Sequence, residues 1–66
     1  MNNIGMKIKA ARSSNGLSRE RVARKLGVSQ QQLARYESGE NRISAEKLEV
    51  IAKILHKHID YFYGSI

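Results

Sequence analysis

The 66-residue sequence contains no cysteine, no proline and no tryptophan, and it lacks any long apolar run. Without cysteine there is neither a disulfide framework nor cysteine-ligated zinc, so packing, alone or with a partner, has to hold the chain together. No segment approaches the ~18 consecutive apolar residues of a membrane helix. Residues 1–7 contain no apolar stretch that follows a basic one, as a secretory signal would. We therefore expect no membrane association and a cytoplasmic location.

Acidic residues are also scarce, since six Asp and Glu stand against twelve Lys and Arg, a net charge of +6. Residues 1–42 hold nine of the basic residues and three of the acidic ones, whereas residues 43–66 hold three of each. The whole surplus of positive charge therefore lies in the first two thirds of the chain. A basic chain of this kind is expected to bind polyanions, although a solvated basic surface would account for the charge equally well.

Apolar residues recur at spacings of three and four, which predicts an all-α chain forming a single domain over residues 1–66. Three serines are suited to cap helices that begin at the next residue, and glycines at 27 and 39 are suited to end two of them. The five predicted helices are a first from about Ile4 to 13–16, a second over 19–26, a third from Gln30 to about 37, a fourth that follows Ser44 and contains Leu48, Ile51, Ala52 and Leu55, and a short fifth over 60–63.

The second and third predicted helices are separated by three residues, Gly27 to Ser29. A connection this short forces the two helices to meet at a steep angle, which is the geometry of a helix-turn-helix over residues 19–38. Ala23 is small where the helices would cross, and Gly27 stands where the turn requires a positive φ. The shared core of this unit is expected to consist of Val22, Leu26, Val28 and Leu33.

These features together resemble the helix-turn-helix family of lambda Cro and repressor-like regulators, from about residue 5 to residue 62. The resemblance implies a compact five-helix domain that binds double-stranded operator DNA as a homodimer, with its third helix in the major groove. Such an operator would be palindromic, and the protein would lie on the nucleoid when bound. The residues that carry the resemblance are Leu17–Ser18, Val22–Ala23, Leu26–Ser29, Tyr36–Gly39, Leu48, Ile51, Ala52 and Leu55.

The resemblance also assigns DNA contacts to individual residues. Base contacts fall on Gln30, Gln31, Gln32 and Arg35, side chains whose donors and acceptors can pair with adenine and guanine edges. An uncharged helix start, with Gln32 completing a capping box on Ser29, is the structural alternative for the glutamines. Phosphate contacts are expected at helix starts and in the loop after the third helix. These phosphate candidates are Ser18, Arg19, Ser29, Ser38, Asn41 and Arg42.

Arg19 departs from the family, which usually has glutamine at this position contacting both a phosphate and a neighbouring side chain. Arginine keeps the phosphate contact but leaves the contact with a side chain open. The resemblance further implies that Arg12 and Glu37 form a partly buried, structural ion pair between the first and third helices. The alternative for these two residues is a pair of solvated charges.

The C-terminal segment is more apolar than a frayed end normally is. Ile59 and Phe62 are expected to complete the core of the monomer. The remaining apolar residues, Tyr61, Tyr63 and Ile66, are expected to form a symmetric dimer contact.

No combination of nucleophile, base and orienting group indicates an enzyme. His56 and His58 lie two residues apart without further ligands, so we expect no metal and no cofactor. No effector domain is recognisable, so no small-molecule effector is predicted. The sequence thus favours a sequence-specific transcriptional regulator, most simply a repressor. The alternative is an antitoxin-like or adaptor module whose helix-turn-helix anchors a partner protein on DNA.

Overall fold

The computed structural model describes residues 4–63 and consists of five α-helices, with no strand in that range. The all-α, five-helix prediction is therefore confirmed. The fifth helix begins one residue earlier than predicted. Between residues 4 and 63, no helix has both the length and the apolar character needed to cross a membrane. The helices are α1 (Ile4–Ser14), α2 (Arg19–Leu26), α3 (Gln30–Ser38), α4 (Ala45–Ile54) and α5 (Ile59–Tyr63).

The three serines predicted to cap helices do so. Ser18 Oγ accepts a hydrogen bond from the Arg21 N–H at 3.1 Å, and Ser44 Oγ accepts one from the Lys47 N–H at 3.1 Å. Ser29 Oγ accepts from the Gln32 N–H at 3.0 Å, which is the first of the two hydrogen bonds of a capping box. Each cap satisfies a backbone donor that the first turn of a helix leaves without an intrahelical partner.

The turn between α2 and α3 has the backbone geometry that a short connection requires. Gly27 has φ +84°, and its N–H donates to the Ala23 carbonyl at 2.9 Å. The Val28 N–H donates to the same carbonyl at 3.0 Å. These bonds end α2 abruptly, so α3 starts three residues later in a new direction.

The core draws fully buried side chains from all five helices. Phe62 is among them and Ile59 is half-buried against the same cluster, so α5 closes the core as the sequence predicted. Leu26 and Tyr36 are half-buried at its edge. The largest fully buried side chains are Ile8, Val22, Leu33, Leu48, Ile51, Leu55 and Phe62.

Gly5 allows α1 to lie directly against the last turn of α3. A Cβ atom at this position would lie 2.6 Å from the Glu37 carbonyl oxygen and closer still to the Tyr36 carbonyl oxygen. Both of these atoms belong to the backbone and cannot rotate away. The packing of α1 on α3 therefore requires the absence of a side chain at Gly5, a requirement that the sequence analysis did not predict.

Gly5→Ala is expected to lower the free energy of unfolding by about 1–3 kcal/mol, the usual cost of forcing extra atoms into a packed interior. Helix propensity acts in the opposite direction, because alanine is favoured over glycine in a helix by ~1 kcal/mol. Urea unfolding followed by circular dichroism measures the sum of the two effects.

Ala10→Gly is the matched control, since Ala10 is exposed on the same helix. It should cost only the ~1 kcal/mol of helix propensity. A Gly5→Ala protein as stable as the wild type, or more stable, would show that α1 can move away from α3 without penalty.

Candidate nucleic-acid interface

The two faces of α3 have different environments. Leu33 and Glu37 are buried on the inner face, whereas Gln30, Gln31 and Arg35 are exposed to solvent. Gln31 and Arg35 are four residues apart, so they are neighbours on the outer face of the helix. This face offers amide donors and acceptors together with a guanidinium, the groups that can pair with the edges of bases.

Gln32 differs from its two neighbours because it is half-buried. Its N–H belongs to the cap formed by Ser29. The structure thus gives the backbone of Gln32 the structural position that the sequence analysis considered, while its side chain is less accessible than those of Gln30 and Gln31.

The residues predicted to contact phosphates fall into two groups. Ser18, Arg19 and Ser29 lie at the starts of α2 and α3. The capping serines accept through Oγ from backbone N–H groups, which leaves each hydroxyl hydrogen available for a further acceptor. The second group lies at the end of α3 and just after it, where all three members are exposed: Ser38, Asn41 and Arg42.

The loop that follows α3 is held by hydrogen bonds to the last turn of the helix. The Asn41 N–H donates to the Arg35 carbonyl at 3.2 Å. Ser38 Oγ donates to the same carbonyl at 3.2 Å and accepts from the Glu40 N–H at 3.3 Å. These bonds fix the loop relative to α3, so the side chains of Asn41 and Arg42 start from a defined backbone.

Glu37 is buried at the C-terminal end of α3 and is paired with Arg12 of α1. Arg12 Nε lies 2.7 Å from Glu37 Oε2, and Arg12 Nη2 lies 3.3 Å from Glu37 Oε1. The two side chains are 11% and 4% exposed. Arg12 Nη1 also donates to the Leu17 carbonyl at 3.1 Å. One guanidinium therefore joins α1, the α1–α2 connection and α3.

Arg19 approaches the same carboxylate from the start of α2. Its Nε lies 3.4 Å from Glu37 Oε1, an ion pair whose geometry falls short of a hydrogen bond. The sequence analysis left the side-chain contact of Arg19 open, and the structure places it on a carboxylate. We refer to Arg12, Arg19 and Glu37 as the Glu37 cluster. A second arginine on Glu37 has no local sequence signal, because the two residues are 18 positions apart.

The aromatic residues of α5 lie in different surroundings. The Tyr61 ring packs edge-on against Phe62, with 5.0 Å between ring centroids, and lies 4.8 Å from Lys57 Nζ and 5.8 Å from Lys7 Nζ. Tyr63 is 56% exposed. Ile66, the third residue of the predicted dimer contact, lies outside the described residues. The structure therefore does not bring these three residues together as one surface.

The two histidines lie at the α4–α5 junction. His56 has φ +58°, just after the end of α4. His58 Nδ1 accepts from the Asp60 N–H at 3.2 Å, next to the start of α5. Within residues 4–63, no group of three or more side chains of metal-ligating type comes together.

Glu37→Ala is expected to lower the free energy of unfolding by ~3–5 kcal/mol, because it leaves the nearly buried Arg12 without its counter-charge. Thermal unfolding should show a markedly lower melting temperature. Glu20→Ala is the control: Glu20 pairs with Arg24 at 3.2 Å, but these side chains are 62% and 71% exposed. Breaking that pair should cost less than about 1 kcal/mol. An unchanged melting temperature for Glu37→Ala would reject a stabilising role for the Glu37 pair.

Comparison with known proteins places this geometry in a family. The chain is similar to an uncharacterized transcriptional regulator in the ATPase CF(0) region of Rhodospirillum rubrum, with 44% identity over 63 residues that cover 96% of this chain and 58% of that protein. It is 47% identical to an uncharacterized HTH-type transcriptional regulator of Rickettsia prowazekii, covering 96% of this chain and 48% of the relative. A regulator of Rickettsia conorii gives the same identity, over 96% of this chain and 50% of its own length.

The chain thus spans about half the length of the curated relatives it matches. The family model described as Helix-turn-helix matches residues 8–62, which include all of α2 to α4 and most of α1 and α5. The resemblance to lambda Cro and repressor-like regulators is therefore confirmed, and the chain belongs to the Cro/C1-type helix-turn-helix family.

Proposed function

We propose that this chain binds double-stranded DNA in a sequence-specific manner and regulates transcription, most simply as a repressor that occupies a promoter. The observation that carries the proposal is the outer face of α3, where Gln30, Gln31 and Arg35 are exposed while the inner face of the same helix is buried. The names of the relatives, all transcriptional regulators, support the same function. Regulation would follow from occupancy of the DNA, without a cofactor or a chemical step.

In the proposed complex α3 enters the major groove with its first turn toward the bases. Gln30 and Gln31 are suited to adenine, which presents a donor and an acceptor side by side in that groove. Arg35, one turn further on, is suited to the two acceptors of guanine. Gln32 is assigned a secondary role because it is half-buried.

Phosphate contacts would flank α3 on both sides. Ser18, Arg19 and Ser29 would bind the backbone on one side through hydroxyl, guanidinium and helix-start donors. Asn41 and Arg42, together with Ser38, would bind it on the other. These contacts would set affinity and orientation, while the bases would be read by side chains that are mostly uncharged.

We further propose that two copies bind one palindromic operator. Helix-turn-helix dimers place their α3 equivalents about one DNA turn apart, ~34 Å. Tyr63 is the better candidate for a contact between copies because it is exposed. A symmetric contact at Tyr61 would bring its two neighbouring lysines toward those of the second copy, which like-charge repulsion disfavours.

The direct test is selection of bound duplexes from random-sequence DNA with the purified chain. The expected result is a consensus of two inverted half-sites whose centres are about 10 base pairs apart. For ~6–10 phosphate contacts, affinity for this duplex should fall ~10³–10⁵-fold between about 50 and 200 mM salt. Absence of both enrichment and binding at low salt would contradict the proposed function.

Two substitutions separate base contacts from phosphate contacts in that assay. Gln31→Ala should relax the sequence preference and leave the salt dependence nearly unchanged, whereas Arg42→Ala should weaken binding to all sequences and reduce the salt slope by about one. Lys53→Ala, an exposed change of the same charge on α4, is the control and should alter neither quantity. If neither Gln31→Ala nor Arg42→Ala affected binding, the proposed docking would be wrong.

A further inference from the structure

The Glu37 cluster brings two guanidinium groups to one carboxylate, and their environments differ. Arg12 is 11% exposed and makes the shorter contacts, at 2.7 and 3.3 Å. Arg19 makes one contact, through Nε at 3.4 Å, and its side chain is 42% exposed. The charge of Glu37 is thus balanced mainly by Arg12, and Arg19 keeps a positive charge that is only partly neutralised.

We propose that Glu37 is a positioning residue for DNA binding, which orients the guanidinium of Arg19 toward a DNA phosphate. This inference rests on the proposed function. A guanidinium has five N–H donors, and the one on Nε faces Glu37. The donors on the two Nη atoms remain for a second acceptor, and a phosphate accepts two parallel bonds from such a group.

The cluster ties this phosphate contact to the position of α3. Glu37 belongs to the last turn of α3, while Arg19 is the first residue of α2. Arg12 fixes the other side of the carboxylate and holds the Leu17 carbonyl, two residues before Arg19. A phosphate bound by Arg19 would therefore be placed at a set distance from the base-contacting face of α3.

Arginine at this position is what makes the coupling possible. The glutamine that is usual in the family is uncharged and could not form an ion pair with Glu37. The exposed pair Glu20–Arg24 provides a comparison within the chain, because both members lie on α2. That pair cannot relate α2 to α3, so it serves as a control with the same charges.

Electrostatics alone and positioning predict opposite effects for Glu37→Gln. Removing a carboxylate raises the net charge by one, which favours binding to a polyanion if charge is all that matters. Positioning predicts weaker binding, because Arg19 loses the acceptor that orients it. The sign of the change in affinity therefore distinguishes the two explanations.

The experiment is a double-mutant cycle with the selected operator duplex, performed at a temperature where circular dichroism shows every variant fully folded. Glu37→Gln is expected to weaken binding about five- to tenfold, and Arg19→Gln about tenfold with a salt slope smaller by ~0.9. The double variant should bind like Arg19→Gln alone, because Glu37 acts through Arg19. Glu20→Gln should bind as tightly as the wild type or slightly more tightly.

Arg19→Lys provides a second measurement that does not depend on the stability of Glu37 variants. Lysine keeps the charge but has no Nε donor and no planar guanidinium. It should bind about fivefold more weakly than the wild type, whereas Arg24→Lys should bind unchanged.

Several outcomes would overturn the positioning role. They are a Glu37→Gln protein that binds as tightly as the wild type or more tightly, effects that multiply independently in the double variant, and an Arg19→Lys protein that binds like the wild type. If the wild type binds the selected duplex but any of these results appears, the positioning role alone is wrong. If the wild type binds no duplex, the proposed function falls with it.

Discussion

The contact between α1 and the last turn of α3 depends on the buried carboxylate of Glu37. Burying an unpaired carboxylate would be costly, and Arg12 removes that cost by pairing with it at 2.7 Å. Arg12 can reach Glu37 because Gly5, two turns earlier on α1, lets the helix lie against the carbonyl oxygens at the end of α3. A close backbone contact and an ion pair thus hold the same helix in place, and Arg19 brings the start of α2 to the same carboxylate.

The elements could be predicted because their signals are local. Serines at 18, 29 and 44 accept hydrogen bonds from the third residue after them, and Gly27 has the left-handed φ that ends α2. The contacts between elements were harder. The pairing of Arg12 with Glu37 was expected from a resemblance to a family, since nothing in a spacing of 25 residues indicates it. The requirement for Gly5 and the second arginine on Glu37 arise only when α1, α2 and α3 are packed together.

The candidate site follows the same division. Exposure of Gln30, Gln31 and Arg35 could be predicted, because the buried positions of α3 leave one face of the helix outward. The partial burial of Gln32 and the lysines next to Tyr61 depend on neighbouring helices. The positive charge that first indicates a polyanion has a general role, since in the proposed complex it sets affinity and salt dependence. The order of bases would be read chiefly by glutamines, which contribute nothing to the net charge.

The central claim is that α3 reads base edges in the major groove. The most direct measurement compares affinity for the selected operator with affinity for the same duplex carrying single substitutions of 7-deazaadenine for adenine or inosine for guanine. The first removes the N7 acceptor in the major groove, and the second removes the amino group in the minor groove. We predict a loss of about tenfold at individual adenines and little change with inosine. Sensitivity to inosine without sensitivity to 7-deazaadenine would contradict the account.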